Sequence, residues 1–387
     1  MRLLYLLAVL SVSLYSCADR PESMEDLTAR VFNLAESQYS YLADQLDESR
    51  FPRSLNPDGT LSTSDIDWWC SGFFAGSLWY IYEYGRSDST KALADRFTLA
   101  LEPLVDRPVD HDIGFQIESS FGNALRLTSD STRYESVIVD AAVKLAERFN
   151  PVAGVTRSWD KKKKYDWEFP VIIDNMMNLE LLMNAARLFG DDELREVART
   201  HAYTTMKNHF RPDYSTWHLV DYSIEDGSVR RKQTHQGFSD DSMWARGEAW
   251  ALYGYTMMAE WDGNDDFLEQ ARHIADLLLE RLPEDGIPYW DFDCPGDLRD
   301  ASAAAIMASA FTRLHTLTKD VRYRDMAEKQ LRKLASPEYL AEKGGLHGFL
   351  LKHCVGNYPK KSEVDVPLSY ADYYFLEALL RFNPQAE

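Results

Sequence analysis

Only four cysteines occur in 387 residues, at positions 17, 70, 294 and 354, and no two form a CxxC pair. With Cys17 set apart as part of an N-terminal signal, three remain, an odd number with no spacing that suggests a zinc site or a disulfide framework. They read as buried or lining thiols, and no Ser/His/Asp or Cys/His signature makes one a nucleophile. HxH, HExxH and acidic clusters with metal spacing are missing, so no catalytic metal and no cofactor is expected. GxGxxG and Walker A sequences are missing too, which leaves no loop to cradle a phosphate. Basic residues are scarce: 42 Lys and Arg stand against 62 Asp and Glu, a formal net charge of −20. Such a field repels nucleic acid and anionic membranes, so no nucleic-acid partner is expected. An acidic ligand would need a few local Arg, Lys and His side chains to outweigh it at short range.

Long hydrophobic runs are also lacking, apart from one at the N-terminus. Met1-Arg2 precedes the apolar run Leu3 to Val12, and Leu14-Tyr15-Ser16 leads to Cys17. That is a charged n-region, an h-region too short to span a bilayer, and small residues before a cysteine. It resembles a bacterial lipoprotein signal, with an ordinary secretory peptide as the alternative. The expected organisation is a signal over 1–17, a polar spacer over 18–23 and a single domain over 24–387. The expected location is periplasmic, or anchored to the outer membrane through a lipid on Cys17. The oligomeric state is left open.

Period-two alternation is nearly absent, which restricts strands to local hairpins such as one around Trp217 to Arg231. What is present is helical periodicity. Amphipathic stretches over Met24–Leu46, Thr90–Leu104, Tyr134–Phe149, Glu193–Lys207, Asp266–Arg281 and Val321–Leu334 alternate with stretches apolar nearly all round. The second kind begins near Asp67, Asp112, Asp174, Asp241, Asp300 and Asp372, at intervals of roughly 45 to 70 residues. A helix apolar all round must be packed on every side. Twelve helices in six outer/inner pairs, closed into an all-α toroid, would bury all the inner ones without exposed ends.

Connections leaving inner helices are short, whereas those entering them are mostly long. Long loops within a compact domain usually carry function. The predicted site is therefore the face where the inner helices begin, floored by helix N-termini whose dipoles favour anions. Asp112 and Asp174 start sequential inner helices and should face one cavity, and paired carboxylates in an aromatic pocket are equipment for glycoside chemistry. A helix-start aspartate is otherwise an ordinary cap. Arg246 falls a turn inside an inner helix with no room for a surface charge, so it needs Glu248 or a ligand carboxylate as partner. Trp250, one turn on, is patterned as core. His218 and Gln236 flank the expected hairpin, and the run Lys161–Lys164 beside Trp159 reads as a solvated loop placed to steer an anion.

The strings His111-Asp112-Ile113-Gly114-Phe115, Asp174-Asn175-Met176-Met177-Asn178-Leu179, Thr234-His235-Gln236-Gly237-Phe238, Trp244-Ala245-Arg246-Gly247-Glu248-Ala249-Trp250 and Ala371-Asp372-Tyr373-Tyr374-Phe375-Leu376-Glu377-Ala378 occur in this order. Together they resemble the unsaturated glucuronyl hydrolases, glycoside hydrolase family 88, from about Asp67 to Arg381. The resemblance implies an (α/α)6 toroid and removal of a Δ4,5-unsaturated uronate from oligosaccharides left by polysaccharide lyases. It implies Asp174 as general acid and base, Asp112 as second carboxylate, His218, Gln236, Arg246 and Trp250 as holders of the uronate, and Trp159 as lining. Family members that accept sulfated disaccharides have a Ser-x-x-Ser-x-Lys pattern in the last long loop. This chain has Asn357-Tyr358-Pro359-Lys360-Lys361-Ser362 there, in which Lys360 and Ser362 would meet a sulfate. Two other readings stay open: an unsaturated rhamnogalacturonyl hydrolase acting on pectin fragments, and a non-catalytic glycan-binding lipoprotein.

Overall fold

A computed structural model of the chain describes residues 22–47, 49–128, 131–160, 165–294 and 296–383. The signal segment with Cys17 and the run Lys161–Lys164 lie outside the described residues. Six outer helices, α1 (Met24–Ala43), α3 (Asp88–Leu99), α6 (Ser131–Ala146), α8 (Asp192–Asn208), α10 (Asp265–Arg281) and α12 (Val321–Leu334), alternate with six inner ones. The inner set is α2 (Ser71–Gly85), the pair α4 (Ile113–Ile117) and α5 (Asn123–Leu127), α7 (Asn175–Phe189), α9 (Ala245–Asp262), α11 (Ala301–Thr318) and α13 (Ser369–Phe382). A single π turn, Glu118–Gly122, joins α4 to α5, so that inner rod runs unbroken from 113 to 127. Neighbouring inner helices touch all the way round, with α13 packing on both α11 and α2. The expected (α/α)6 ring of twelve helical rods is what these residues form. No helix among the described residues is long and apolar enough to cross a membrane.

The inner helices are buried along nearly their full length; in α9 every residue from Ala245 to Ala259 is buried. Small residues make this possible, because runs such as Ala303-Ala304-Ala305 in α11 let backbones approach closely. Aromatic rings from four inner helices fill the axis: Phe73 of α2 lies 5.6 Å from Phe115 of α4, Phe115 lies 5.2 Å from Trp250 of α9, and Trp250 lies 5.4 Å from Tyr374 of α13. On the far side from the long loops the axis turns polar. Glu377 accepts there from Tyr80 at 2.7 Å, Tyr253 at 3.1 Å and Ser309 at 2.5 Å, and pairs with Arg381. Each buried polar atom in that group has a partner, which is the condition for burying it.

Most outer helices follow their inner partner through the same two-residue device. One residue in the left-handed region ends the inner helix, its N–H bonding a carbonyl four residues back, and the next residue begins the outer helix. The pairs are Arg86-Ser87, Gly190-Asp191, Gly263-Asn264 and Lys319-Asp320, and the side chains of Asp191, Asn264 and Asp320 accept from the first turn of the new helix. The opposite connections carry four small antiparallel sheets. These are β1 (Phe51–Leu55) with β2 (Leu61–Ser64), β3 (Phe149–Asn150) with β4 (Val155–Thr156), β5 (Phe169–Ile172) with β6 (Leu219–Tyr222) and β7 (Val229–Gln233), and β8 (Cys354–Asn357) with β9 (Ser362–Val366). The expected hairpin is β6–β7; the third strand β5 was not foreseen, although Phe169-Pro170-Val171-Ile172-Ile173 is a β-branched apolar run.

Two features of the six aspartate positions differ from expectation. Asp372 lies inside α13, not at its start, and its buried carboxylate accepts from the backbone N–H groups of Leu350 and Leu351 and from the Tyr39 hydroxyl. Asp67 and Asp241 fall in exposed turns before α2 and α9. Helix formation at these places starts where the flanking loop docks, which the apolar pattern alone does not locate.

Candidate active site

Asp174 occupies the N-cap position of α7 and Asp112 that of α4, yet neither side chain caps its helix. The reason is local. Both residues already have helical backbone angles, φ −54° and ψ −27° at Asp174, φ −68° and ψ −6° at Asp112, and a capping side chain requires an extended residue. Asp300 shows the contrast: at φ −125° and ψ 95° its carboxylate accepts from Ser302 N–H at 3.0 Å. Asp174 and Asp112 are thereby left to face the ring's mouth.

Strand pairing places Asp174. β5 pairs with β6 through Ile172 and Leu219, the Ile173 N–H donates to the His218 carbonyl at 2.9 Å, and the chain turns directly into α7. Asn175 then pins the first turn by donating to the Thr156 carbonyl at 2.6 Å. Asn178 fastens the other carboxylate to the same helix, accepting from Phe115 N–H at 2.8 Å and meeting His111 Nδ1 at 3.1 Å. Gly114 permits that approach, since a Cβ there would stand 2.5 Å from the Asn178 side chain.

Burial pushes the Asp174 carboxyl up to about 7, while the positive charge of Arg246 holds it from going higher. Burial also raises Asp112 well above the usual range, reinforced by the charges of Asp110 and Asp174. His218 Nε2 lies 3.8 Å from Asp174 Oδ2. Burial drives the His218 imidazole well below its ordinary value, so this is a neutral ring beside a carboxyl, not an ion pair. Its Nδ1 accepts from the N–H groups of His235 and Gln236 at 3.0 and 3.2 Å, which puts the ring proton on Nε2. Asp174 Oδ2 and His218 Nε2 have no hydrogen-bond partner among the described residues, so an acceptor and a donor face one another, both uncommitted.

The other predicted residues join this centre through the long loops. Gln236 Nε2 donates to the Gly356 carbonyl at 3.2 Å, and the Arg246 guanidinium donates to the same carbonyl at 2.6 Å and to that of Val355. Arg246 also lies 3.4 Å from Asp300. Its carboxylate partner is thus Asp300; Glu248 turns away, accepting from the Thr216 N–H and hydroxyl. Lys360 Nζ meets His235 Nε2 at 2.9 Å. Ser362 opens β9 across from Asn357, half-buried in the same turn. Trp159 lines the wall, 5.7 Å from Trp167 and 5.2 Å from His235. Trp250 is fully buried and packed on Phe115 and Tyr374, so it serves as floor beneath Asp174 and presents no face for a sugar to stack on.

Several contributors were not singled out in advance. Trp244 lies 4.5 Å from His218, its ring tilted 43° to the imidazole, and 4.5 Å from the Arg246 guanidinium. Trp69 covers Phe115 at 5.5 Å and Tyr370 at 4.8 Å. His111, pushed down to about 3 by burial, stands 3.4 Å from Asp112. Trp244 and His111 sit inside motif strings, within two residues of Arg246 and Asp112; Trp69 carries no such signal. Among the described residues no three His, Cys, Asp or Glu side chains converge to hold a metal ion. Cys70 and Cys354 are buried thiols, Cys70 pushed up to about 12, which leaves it without nucleophilic character at neutral pH.

No family model matches the chain. Individual relatives do. The chain is 41% identical to the unsaturated glucuronyl hydrolase of Formosa agariphila over 393 residues, 98% of each chain. It is 32% identical to the unsaturated chondroitin disaccharide hydrolase of Streptococcus pyogenes serotype M1 over 374 residues, 93% of this chain and 92% of the relative. A crystal structure of an unsaturated glucuronyl hydrolase specific for heparin superposes with a TM-score of 0.90 at 45% identity, covering 92% of this chain and 97% of that one. Similarity of this degree across the whole ring, together with a helix-head aspartate pair that caps nothing, means that the chain belongs to the unsaturated glucuronyl hydrolases and is a glycoside hydrolase.

Proposed function

We propose that this hydrolase removes the non-reducing-end Δ4,5-unsaturated uronate from lyase-generated glycosaminoglycan fragments by hydrating the vinyl ether double bond, with Asp174 as the proton donor. The observation that carries the reading is Asp174 itself: a buried carboxyl raised to about 7, freed from capping, with one oxygen facing a neutral imidazole N–H. A carboxyl that retains its proton near neutral pH is matched to general acid catalysis.

In the proposed sequence Asp174 gives its proton to C4, the C4–C5 π pair forms the new C–H bond, and positive charge at C5 is shared with the ring oxygen. Water adds at C5 and returns a proton to Asp174. The resulting hemiketal opens at its C5–oxygen bond to a ketone, and the hemiacetal thereby formed at C1 expels the remaining sugar as an alcohol. One water is consumed and the enzyme is regenerated. Because bond cleavage follows hydration, the spacing of Asp112 and Asp174 does not encode retention or inversion. Asp112, raised well above the usual range chiefly by burial, orients the sugar ring as the second carboxyl, His218 donates through Nε2, and Arg246 and Gln236 hold the Gly356 carbonyl and with it the last loop. The uronate carboxylate is favoured by Arg246 and the α7 N-terminus. Lys360 beside His235, with Ser362 in the same turn, supplies positive charge for an anionic group on the next sugar.

Glycosaminoglycan fragments are preferred over pectin fragments because the relatives named above include one specific for heparin and one for chondroitin disaccharides. Unsaturated chondroitin, hyaluronan and heparin disaccharides, with an unsaturated rhamnogalacturonan disaccharide in parallel, are incubated with the enzyme while the ultraviolet absorbance of the double bond is followed. Loss of absorbance is expected with at least one glycosaminoglycan disaccharide; turnover of the pectin fragment alone moves the assignment to rhamnogalacturonan. Export as a lipoprotein is proposed from the signal pattern and is checked by incorporation of labelled fatty acid, expected for the full chain and absent in Cys17→Ala.

A further inference from the structure

We infer that the rim of this site carries a further sugar subsite, made by the rings of Tyr358 and Phe238, that takes the reducing-side sugars of substrates longer than a disaccharide. The inference rests on the hydrolase reading and extends it to substrate length.

Tyr358 and Phe238 are 45% and 51% exposed. A single exposed aromatic needs no explanation, and others here, such as Tyr41 and Tyr203, sit on the outer helices α1 and α8. These two stand elsewhere. Phe238 follows Gln236 by two residues and Tyr358 precedes Lys360 by two, and the segments that carry them are clamped together over the site by the Gln236–Gly356 and Lys360–His235 contacts.

Tyr358 is held through its ring, and Phe238 through its backbone. Tyr358 lies 4.6 Å from Trp290, which is buried, and opens the turn Tyr358–Lys360 that contains Pro359 and is closed by the Asn357 side chain accepting from Lys360 N–H. The Phe238 N–H donates at 2.9 Å to the buried Asp291, which also accepts from the Ser242 hydroxyl at 2.7 Å. An aromatic ring that is already ordered loses little entropy when a sugar's C–H face stacks on it, which is what separates a binding platform from a chance exposed ring. In this proposal the sugars that follow the uronate run past Gln236 and Gly356, whose segments carry the two rings.

The test compares kcat/KM for an unsaturated tetrasaccharide and the matching disaccharide in the wild type, Tyr358→Ala, Phe238→Ala and Tyr358→Phe. Each alanine variant is expected to lose about tenfold on the tetrasaccharide, mainly through KM, and to stay within about twofold on the disaccharide. Tyr358→Phe keeps the ring and is expected to keep tetrasaccharide turnover. Equal losses on both substrates, no loss on either, or a wild type that accepts only the disaccharide overturns the subsite while leaving the hydrolase reading intact. A wild type inactive on both overturns the hydrolase reading and this one with it.

Discussion

A carboxyl that titrates near 7 is about half protonated at neutral pH, and the pH profile should show it. With the acid form of Asp174 as the proposed proton donor, kcat is expected to fall as pH rises through about 7. A rate that stays level to pH 9 contradicts Asp174 as proton donor. Asp174→Asn keeps the shape and removes the acid. It is expected to reduce kcat by about a thousandfold or more, with the melting temperature at pH 8 unchanged or raised, since an amide needs no proton to stay neutral when buried. Activity within tenfold of wild type would falsify the assignment. Asp300 and Asp174 show what residue type alone leaves open: both are aspartates at inner-helix heads, and backbone angles make one a cap and leave the other uncapped.

Elements set the distance between the two carboxylates. α4 and α7 meet at Gly114 and Asn178, and Gly114→Ala drives a Cβ to 2.5 Å from Asn178. The expected cost is about 1–3 kcal/mol in chemical denaturation, accompanied by a fall in kcat larger than the change in KM, because the shifted α4 moves Asp112 away from Asp174. A variant with unchanged stability and rate would show that the contact relaxes freely. The last loop is an element in the same sense. Asp372 holds Leu350 and Leu351, Asp300 accepts from Val355 N–H at 3.2 Å, and Arg246 takes the Val355 and Gly356 carbonyls. Inner-helix charges that sequence pattern reads as candidate ligand groups are largely spent in fastening this loop. That use was illegible beforehand because it depends on a loop 50 or more residues from Asp300 and more than 100 from Arg246.

The whole ring buries several carboxyls against their preference. Asp174 and Asp372 are raised to about 7, and Glu118 and Glu248 to about 8, in each case chiefly by burial. In the unfolded chain all four titrate near 4. Each group therefore contributes stability that is complete below about pH 4 and is lost as pH rises through its folded value. Other groups govern stability in strong acid, so the clean window is pH 5 to 9. Across it the melting temperature is expected to decline, and Asp372→Asn should flatten the slope; a melting temperature that climbs over that range refutes the buried-acid account.

The helical periods, the six-fold alternation and the long-loop face follow from the chain alone, because an inner helix of a closed ring must be apolar on every side and that pattern is local in sequence. The motif strings likewise contain Asp112, Asp174, Gln236 and Arg246 in linear order, and His218 falls on the expected hairpin between them. Only tertiary structure decided which of them point at each other. Strand β5 against β6 brings His218 to 3.8 Å from Asp174, and burial then sets the proton on each. Both register and desolvation arise from residues distant in sequence, so chemistry that looks like an ordinary helix cap in the chain becomes an acid only inside the ring.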